Sequence, residues 1–251
     1  MIVKTGGTLA AEGLRAGDFE DWILAAMGLR GSDAVVADVQ RGDPLPPPAQ
    51  VRGIVITGST SMVTERLPWS ERTAAWLRGA VHAGVPVLGI CYGHQLLAHA
   101  LGGVVARNPR GREIGTIEVH LNEHGRADAL LGGPHDPISA SHVLRVQATH
   151  VESVVTLPEG ALPLGHSAGD PHQTFRFGPC AWGVQFHPEF DAPTLRAYLR
   201  ARAQLLAEEG LDAEALTKAA CDSPHGASIL RRFVALCESM GSPEPKAARP
   251  R

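Results

Sequence analysis

The stretch Val87-Leu88-Gly89-Ile90-Cys91-Tyr92-Gly93-His94-Gln95 sets a thiol between two glycines, each two residues away, where an apolar strand-like run passes into a helical one. Glycine has no Cβ, so strand and helix can close on each other while the cysteine takes a strained backbone conformation at the tip of the turn. Such a turn aims the next backbone N–H, that of Tyr92, at a developing oxyanion, and the positive end of the following helix favours the thiolate. The chemistry implied is nucleophilic attack on an acyl carbon. A free cysteine packed into a tight turn of the core would leave the same local pattern, so a second group has to decide.

Trp182-Gly183-Val184-Gln185-Phe186-His187-Pro188-Glu189 supplies it: another apolar run ends in a histidine, with a carboxylate two residues on and a proline between. The proline fixes φ beside the histidine, and an extended i, i+2 pair lets the carboxylate orient and charge-stabilise the imidazole. The chain holds twelve histidines, so a lone one carries no information. His187 is distinguished by standing at a strand end before Pro188 and Glu189. Nucleophile, base and orienting acid are the three roles that acyl transfer requires.

These two motifs, in this order, resemble those of the class I glutamine amidotransferases: the nucleophile motif in Gly89-Ile90-Cys91-Tyr92-Gly93-His94-Gln95 and the base motif in His187-Pro188-Glu189. The resemblance spans roughly residues 51–199 and implies a flavodoxin-like sheet with Cys91, His187 and Glu189 as catalytic triad. Ile54-Val55-Ile56-Thr57-Gly58-Ser59 resembles the family's strand and oxyanion loop, which makes Gly58, Ser59 and Tyr92 the expected oxyanion donors. Relatives often carry two glycines or Gly-Pro where this chain has Gly58-Ser59-Thr60, which leaves open which amide donates. The resemblance further implies that Gln95 lines the substrate amide pocket. It also implies that the stretch Gln147-Ala148-Thr149-His150-Val151-Glu152-Ser153-Val154 grips the substrate's α-amino and α-carboxyl groups, with His150 as its candidate side chain. For Gln95 a structural amide is the equal alternative.

The elements that must hold these residues follow from periodicity. Residues 34–39, 53–56 and 85–90 are short β-branched runs, whereas 69–82 and 95–101 repeat at helical spacing, and Gly84 with Pro86 stops the first of these helices. Alternating strands and helices predict an α/β fold, a mostly parallel sheet with helices on both faces. Between residues 114 and 186 the pattern shifts to short alternating segments (115–121, 162–166 and 181–186), which predict an antiparallel β elaboration. Asp191 and Pro193 predict a helix start, with Leu195, Leu199, Ala203 and Leu206 on one face until Gly210. A later stretch places Ile229, Phe233, Leu236 and Met240 on one face and is expected to pack on the domain. Gly17 to Trp22 reads as an acidic helix N-terminus, residues 42–49 as a stiff proline-rich connection, and the charged, proline-rich tail 242–251 as disordered. The expected organisation is a catalytic domain over 1–210, a helical extension over 211–241, and that tail.

A length of 251 residues suits one sizeable core. The net charge of −3, from 23 basic and 26 acidic residues spread along the chain, argues against nucleic-acid or membrane partners and for a small-molecule substrate. Four widely spaced cysteines without a CxxC pair argue against a metal site or a disulfide framework, and with no apolar run of ~18 residues a cytoplasmic location is expected. The resemblance implies glutamine δ-amide hydrolysis through a γ-glutamyl thioester, with no cofactor and with ammonia received by a separate synthetase, because only about 40 residues follow Gly210 and no GxxxxGK[ST] segment is present. Two alternatives use the same residues: a stand-alone γ-glutamyl peptidase or hydrolase, and a non-catalytic glutamine-binding regulatory subunit.

Overall fold

In a computed structural model of the chain, residues 1–132 and 142–241 are described. Among them the main sheet has nine strands, built outward from a parallel half: β1 (Ile2–Lys4), β2 (Val36–Asp38), β3 (Ile54–Ile56), β4 (Val87–Ile90) and β11 (Ala181–Val184) stand side by side in the order β2-β1-β3-β4-β11. Parallel pairing follows from crossovers through helices, and the change of direction beside β1 is that of a doubly wound fold. The sheet continues antiparallel through β10 (Thr174–Phe177), β9 (Ala161–His166), β6 (Glu113–Leu121) and β7 (Val143–His150). A separate antiparallel ribbon joins β5 (Val104–Arg107) to β8 (Glu152–Thr156).

Side-chain alternation along the parallel strands divides the interior in two. Ile2, Val55, Leu88, Ile90, Trp182 and Val184 point to one face, under α1 (Phe19–Met27) and the C-terminal helix; Val3, Ile54, Ile56, Val87 and Ala181 point to the other, under α2 (Pro68–His82) and α3 (Tyr92–Ala100). Strands buried on both faces read as continuous apolar runs, as Ile54-Val55-Ile56 does. The helix ends obey local chemistry. Asp18 caps α1, accepting from the Phe19 N–H at 2.8 Å while Asp21 accepts from the Asp18 N–H at 2.9 Å. Gly28, at φ 74°, and Gly84, at φ 77°, close α1 and α2. A short α4 (Glu123–Ala127) precedes the second half of the chain.

The helix expected to run unbroken to Gly210 is instead two: α5 (Ala192–Ala201), capped by Asp191 at 2.8 Å from the Thr194 N–H, and α6 (Ala203–Glu208). The joint is Arg202, at φ −106° and ψ 9°, whose guanidinium turns to Thr149. Leu195, Leu199 and Leu206 are fully buried with Ile114 and Ala220 in a small separate cluster, but the break leaves Ala203 exposed rather than on that face. Beyond α7 (Ala213–Ala219), α8 (Pro224–Met240) packs on α1 and places Ile229, Leu230 and Phe233 in the same core as Trp182. Leu236 is partly buried and Met240, in the last turn, is exposed. The tail 242–251 lies outside the described residues. Among those residues no helix is long and apolar enough to cross a membrane.

Because the Phe233 ring meets Trp182 edge-on at 6.3 Å within the core, Phe233→Ala is expected to cost about 3–5 kcal/mol in urea unfolding; a change under 1 kcal/mol would mean that α8 does not seal the sheet.

Candidate functional site

At the C-terminal ends of β3, β4 and β11 the chain brings three of its loops together. Cys91 follows β4 directly and has φ 52° and ψ −104°, a conformation that a residue with a Cβ rarely adopts. Its N–H is tied to Val184 O at 2.9 Å, and the Gly93 N–H to Thr57 O at 3.2 Å, so the turn is held from β11 and from the loop after β3. The two glycines are required by space. A Cβ on Gly89 would lie 2.4 Å from Gly93 O, and one on Gly93 would lie 2.4 Å from Ile56 O. Tyr92, as the first residue of α3, keeps its N–H outside the helical ladder, while its hydroxyl is bound to Ser70 at 2.6 Å.

His187 stands just past β11, its N–H donating to Gln147 O at 2.8 Å. Its imidazole stacks on Phe190 at 4.3 Å and on Phe19 at 5.8 Å, and its Nδ1 meets Glu189 Oε1 at 2.7 Å. Complete burial pushes its pKa down, but the charges of Glu189 and Cys91, with the hydrogen bond to Glu189, outweigh that and raise it to about 10. Glu189 is itself buried, and Arg15 holds its backbone carbonyl at 2.6 Å. The neighbouring His94 behaves oppositely. It points into β11, where burial lowers its pKa to about 3 and keeps it neutral.

A cavity of about 260 Å³ opens over Cys91 and Tyr92. Of the residues expected at the site, Ser59, Gln95 and His150 also line it. Gly58, His187 and Glu189 do not; Gly58 packs against the imidazole, where a Cβ would stand 3.0 Å from His187 Cε1. Gln95 donates to Glu152 O at 2.8 Å and to Gln185 Oε1 at 3.0 Å, and His150 uses both ring nitrogens, on Glu152 O at 2.9 Å and on Glu113 Oε2 at 3.0 Å. Both side chains are therefore engaged within the wall, and residues 149–152 all line the cavity.

Several contributors escaped sequence reasoning. Thr5 fixes the loop after β3 through Thr57 O at 2.8 Å and Gly58 O at 3.1 Å, and Gly6 lets Ser59 pass close by, since a Cβ there would lie 2.6 Å from Ser59 Oγ. The consecutive glycines after the N-terminal run Ile2-Val3-Lys4 were the available signal. The Glu152 carboxylate accepts the Val63 N–H at 2.9 Å and the Thr64 hydroxyl, tying that loop to β8. Arg112, Arg202 and Leu205 complete the cavity, and nothing in their local sequence announces it.

A strained cysteine after a central parallel strand, a histidine–carboxylate pair after the next, and a cavity over the thiol together define an α/β chain with the parts of a cysteine-dependent acyl-transfer site. The family described as glutamine amidotransferase class-I matches residues 18–202, and the chain belongs to that family, whose members are cysteine-dependent glutamine amidohydrolases. It is 37% identical over 147 residues to a glutamine-hydrolyzing GMP synthase of Albidiferax ferrireducens and 35% identical over 148 residues to one of Aeropyrum pernix; these stretches are 56% and 59% of this chain but 25% of each relative. The chain thus spans about a quarter of the length of the GMP synthases it matches. A glutamine amidotransferase of Thermotoga maritima shares the flavodoxin-like α/β fold, with TM-score 0.70 and 23% identity over 94% of this chain and 96% of that one.

The raised His187 pKa has a stability consequence whose sign is fixed. A histidine with folded pKa about 10 and an ordinary value near 6.5 contributes stability that is complete below about pH 6.5 and lost as pH rises through about 10. Glu189→Gln removes the foremost charge raising it, so unfolding measured across this range should show a deficit on the order of 3 kcal/mol near pH 6 that shrinks toward pH 10. A deficit independent of pH would refute the pairing.

Proposed function

We propose that the chain hydrolyses the side-chain amide of glutamine, and the observation that carries this is the strained Cys91 lining an open cavity, with its charge acting on the buried, Glu189-paired His187. In this reading Cys91 Sγ attacks the δ-carbonyl carbon, whose oxygen takes up the negative charge and is met by the Tyr92 N–H and by an amide of the Ser59 loop. Oxyanion donors of this kind are worth about 10²-fold or more in rate. The tetrahedral intermediate collapses as His187 gives its proton to the departing nitrogen, releasing ammonia and leaving a γ-glutamyl thioester. Water, deprotonated by His187, then attacks the thioester to give glutamate and free Cys91. Glu189 holds the imidazole in its working orientation and stabilises its positive charge. Ser59, Gln95 and His150 act as parts of the cavity wall, with Gly58 supporting the imidazole from below.

Ammonia formed this way would be used by a separate synthetase, as the resemblance to GMP synthases over a quarter of their length supports. The rim beyond Cys91, made by Met62, Arg112, Arg202 and Leu205, supports a second reading, hydrolysis of longer γ-glutamyl compounds by the same residues.

Purified chain and its Cys91→Ala variant are to be compared for ammonia from glutamine and for amine release from γ-glutamyl peptides. Loss of at least about 10³-fold in the variant is expected for a missing covalent nucleophile. Full activity retained by Cys91→Ala would overturn the assignment, and a Cys91-dependent preference for peptides would favour the second reading.

A further inference from the structure

On one side of the cavity stand two arginines whose charges are not balanced. Arg112 is paired with Glu209 through two contacts, Nε to Oε2 at 2.6 Å and Nη2 to Oε1 at 3.0 Å. Arg202 has no carboxylate within ion-pair distance among the described residues: its Nη1 donates to Thr149 Oγ1 at 3.1 Å, and its guanidinium carbon lies 5.7 Å from the centre of the Tyr198 ring. The acid on the opposite wall, Glu152, faces the Val63 N–H and the Thr64 hydroxyl instead. Thr149 links this arginine to the nucleophile, because its carbonyl oxygen is 3.9 Å from Cys91 Sγ while its hydroxyl holds Arg202.

A half-buried guanidinium with one hydroxyl partner is costly, and planar guanidinium donors match a carboxylate in geometry as well as charge. Burial, followed by repulsion from Arg112, lowers the Arg202 pKa and outweighs the opposing charges around it. We propose that Arg202, backed by Arg112, forms an anion subsite beside Cys91 that takes a carboxylate of the substrate. The carboxylate could belong to the γ-glutamyl half or to the amine that leaves; the subsite itself would be the same. As a statement about substrate, this rests on the hydrolytic reading above.

The test separates the two. Cys91 is alkylated with iodoacetate and with iodoacetamide, and modification of its own peptide is followed by mass spectrometry, so that the other three cysteines do not interfere. The ratio of the two rates should fall about threefold or more in Arg202→Gln and return in Arg202→Lys, because a local cation concentrates the anionic reagent. This readout needs no turnover. An unchanged ratio in Arg202→Gln would overturn the subsite even if glutamine were hydrolysed, whereas a changed ratio without hydrolysis of any compound would leave the subsite standing and defeat the hydrolytic reading. For turnover, Arg202→Gln should raise KM about ten- to a hundredfold for the compound whose carboxylate it binds. A loss on glutamine but not on 4-aminobutyramide assigns the α-carboxylate, and a loss on γ-glutamylglycine but not on γ-glutamylethylamide assigns the leaving amine. Equal KM values for wild type and Arg202→Gln on all four would overturn the proposal.

Discussion

Between Ile90 and Tyr92 the backbone passes through φ 52° and ψ −104°, and the geometry around the cavity is arranged to hold it there. A residue in this region costs on the order of 1–3 kcal/mol and persists only where its surroundings over-determine it. Here the surroundings are hydrogen bonds from Cys91 to Val184 and from Gly93 to Thr57, together with the close approach of β4, β3 and α3 that Gly89 and Gly93 allow. The strain and the packing support each other. The turn directs the thiol out of the core, and the parallel register of β4 with β11 brings His187 to the same end of the sheet.

The second constraint is electrostatic. Charged groups buried at His187 and Glu189 are tolerable because they are paired at 2.7 Å and because aromatic rings from α1 and from the segment before α5 exclude water around them. In the helix that follows Cys91, His94 is buried without such a carboxylate and is driven neutral. The same residue type thus carries opposite charge tendencies according to what shares its burial.

Much of this was legible in the sequence because it is local. Glycine spacing about Cys91, the His-Pro-Glu triplet and the apolar runs before them are short-range patterns, and the strands and helices holding the site fall within a few residues of where periodicity sets them. What was not legible depends on the chain meeting itself at long range. The bond from Thr5 to the loop after β3, the grip of Glu152 on Val63 and Thr64, and the approach of Arg112 and Arg202 to one cavity join residues about fifty or more positions apart. The break at Arg202 escaped because Leu195, Leu199 and Leu206 satisfy a continuous helical face, and the contact of Arg202 with Thr149 is long-range. Gly58 was expected from the resemblance as an oxyanion donor; its closeness to the imidazole of His187 is a further contact that the sequence did not announce.

Glu152 joins three parts of the wall: its carboxylate holds the loop after β3, and its carbonyl oxygen accepts from Gln95 on α3 and meets His150 on β7. A residue clamped to three neighbours couples their tolerance to change, since an insertion or a bulkier side chain in any one of them would pull on the other two. The opposite rim is tied to this wall as well, through the bond from Arg202 to Thr149 and that between Glu113 and His150. It is carried by α5, α6 and the segment entering β6, and a change in side chain or helix length at Arg202 reaches the thiol through Thr149, whose carbonyl oxygen is 3.9 Å from Cys91 Sγ. Mouth and nucleophile are therefore mechanically joined, and a change that reshapes the entrance is felt at the thiol.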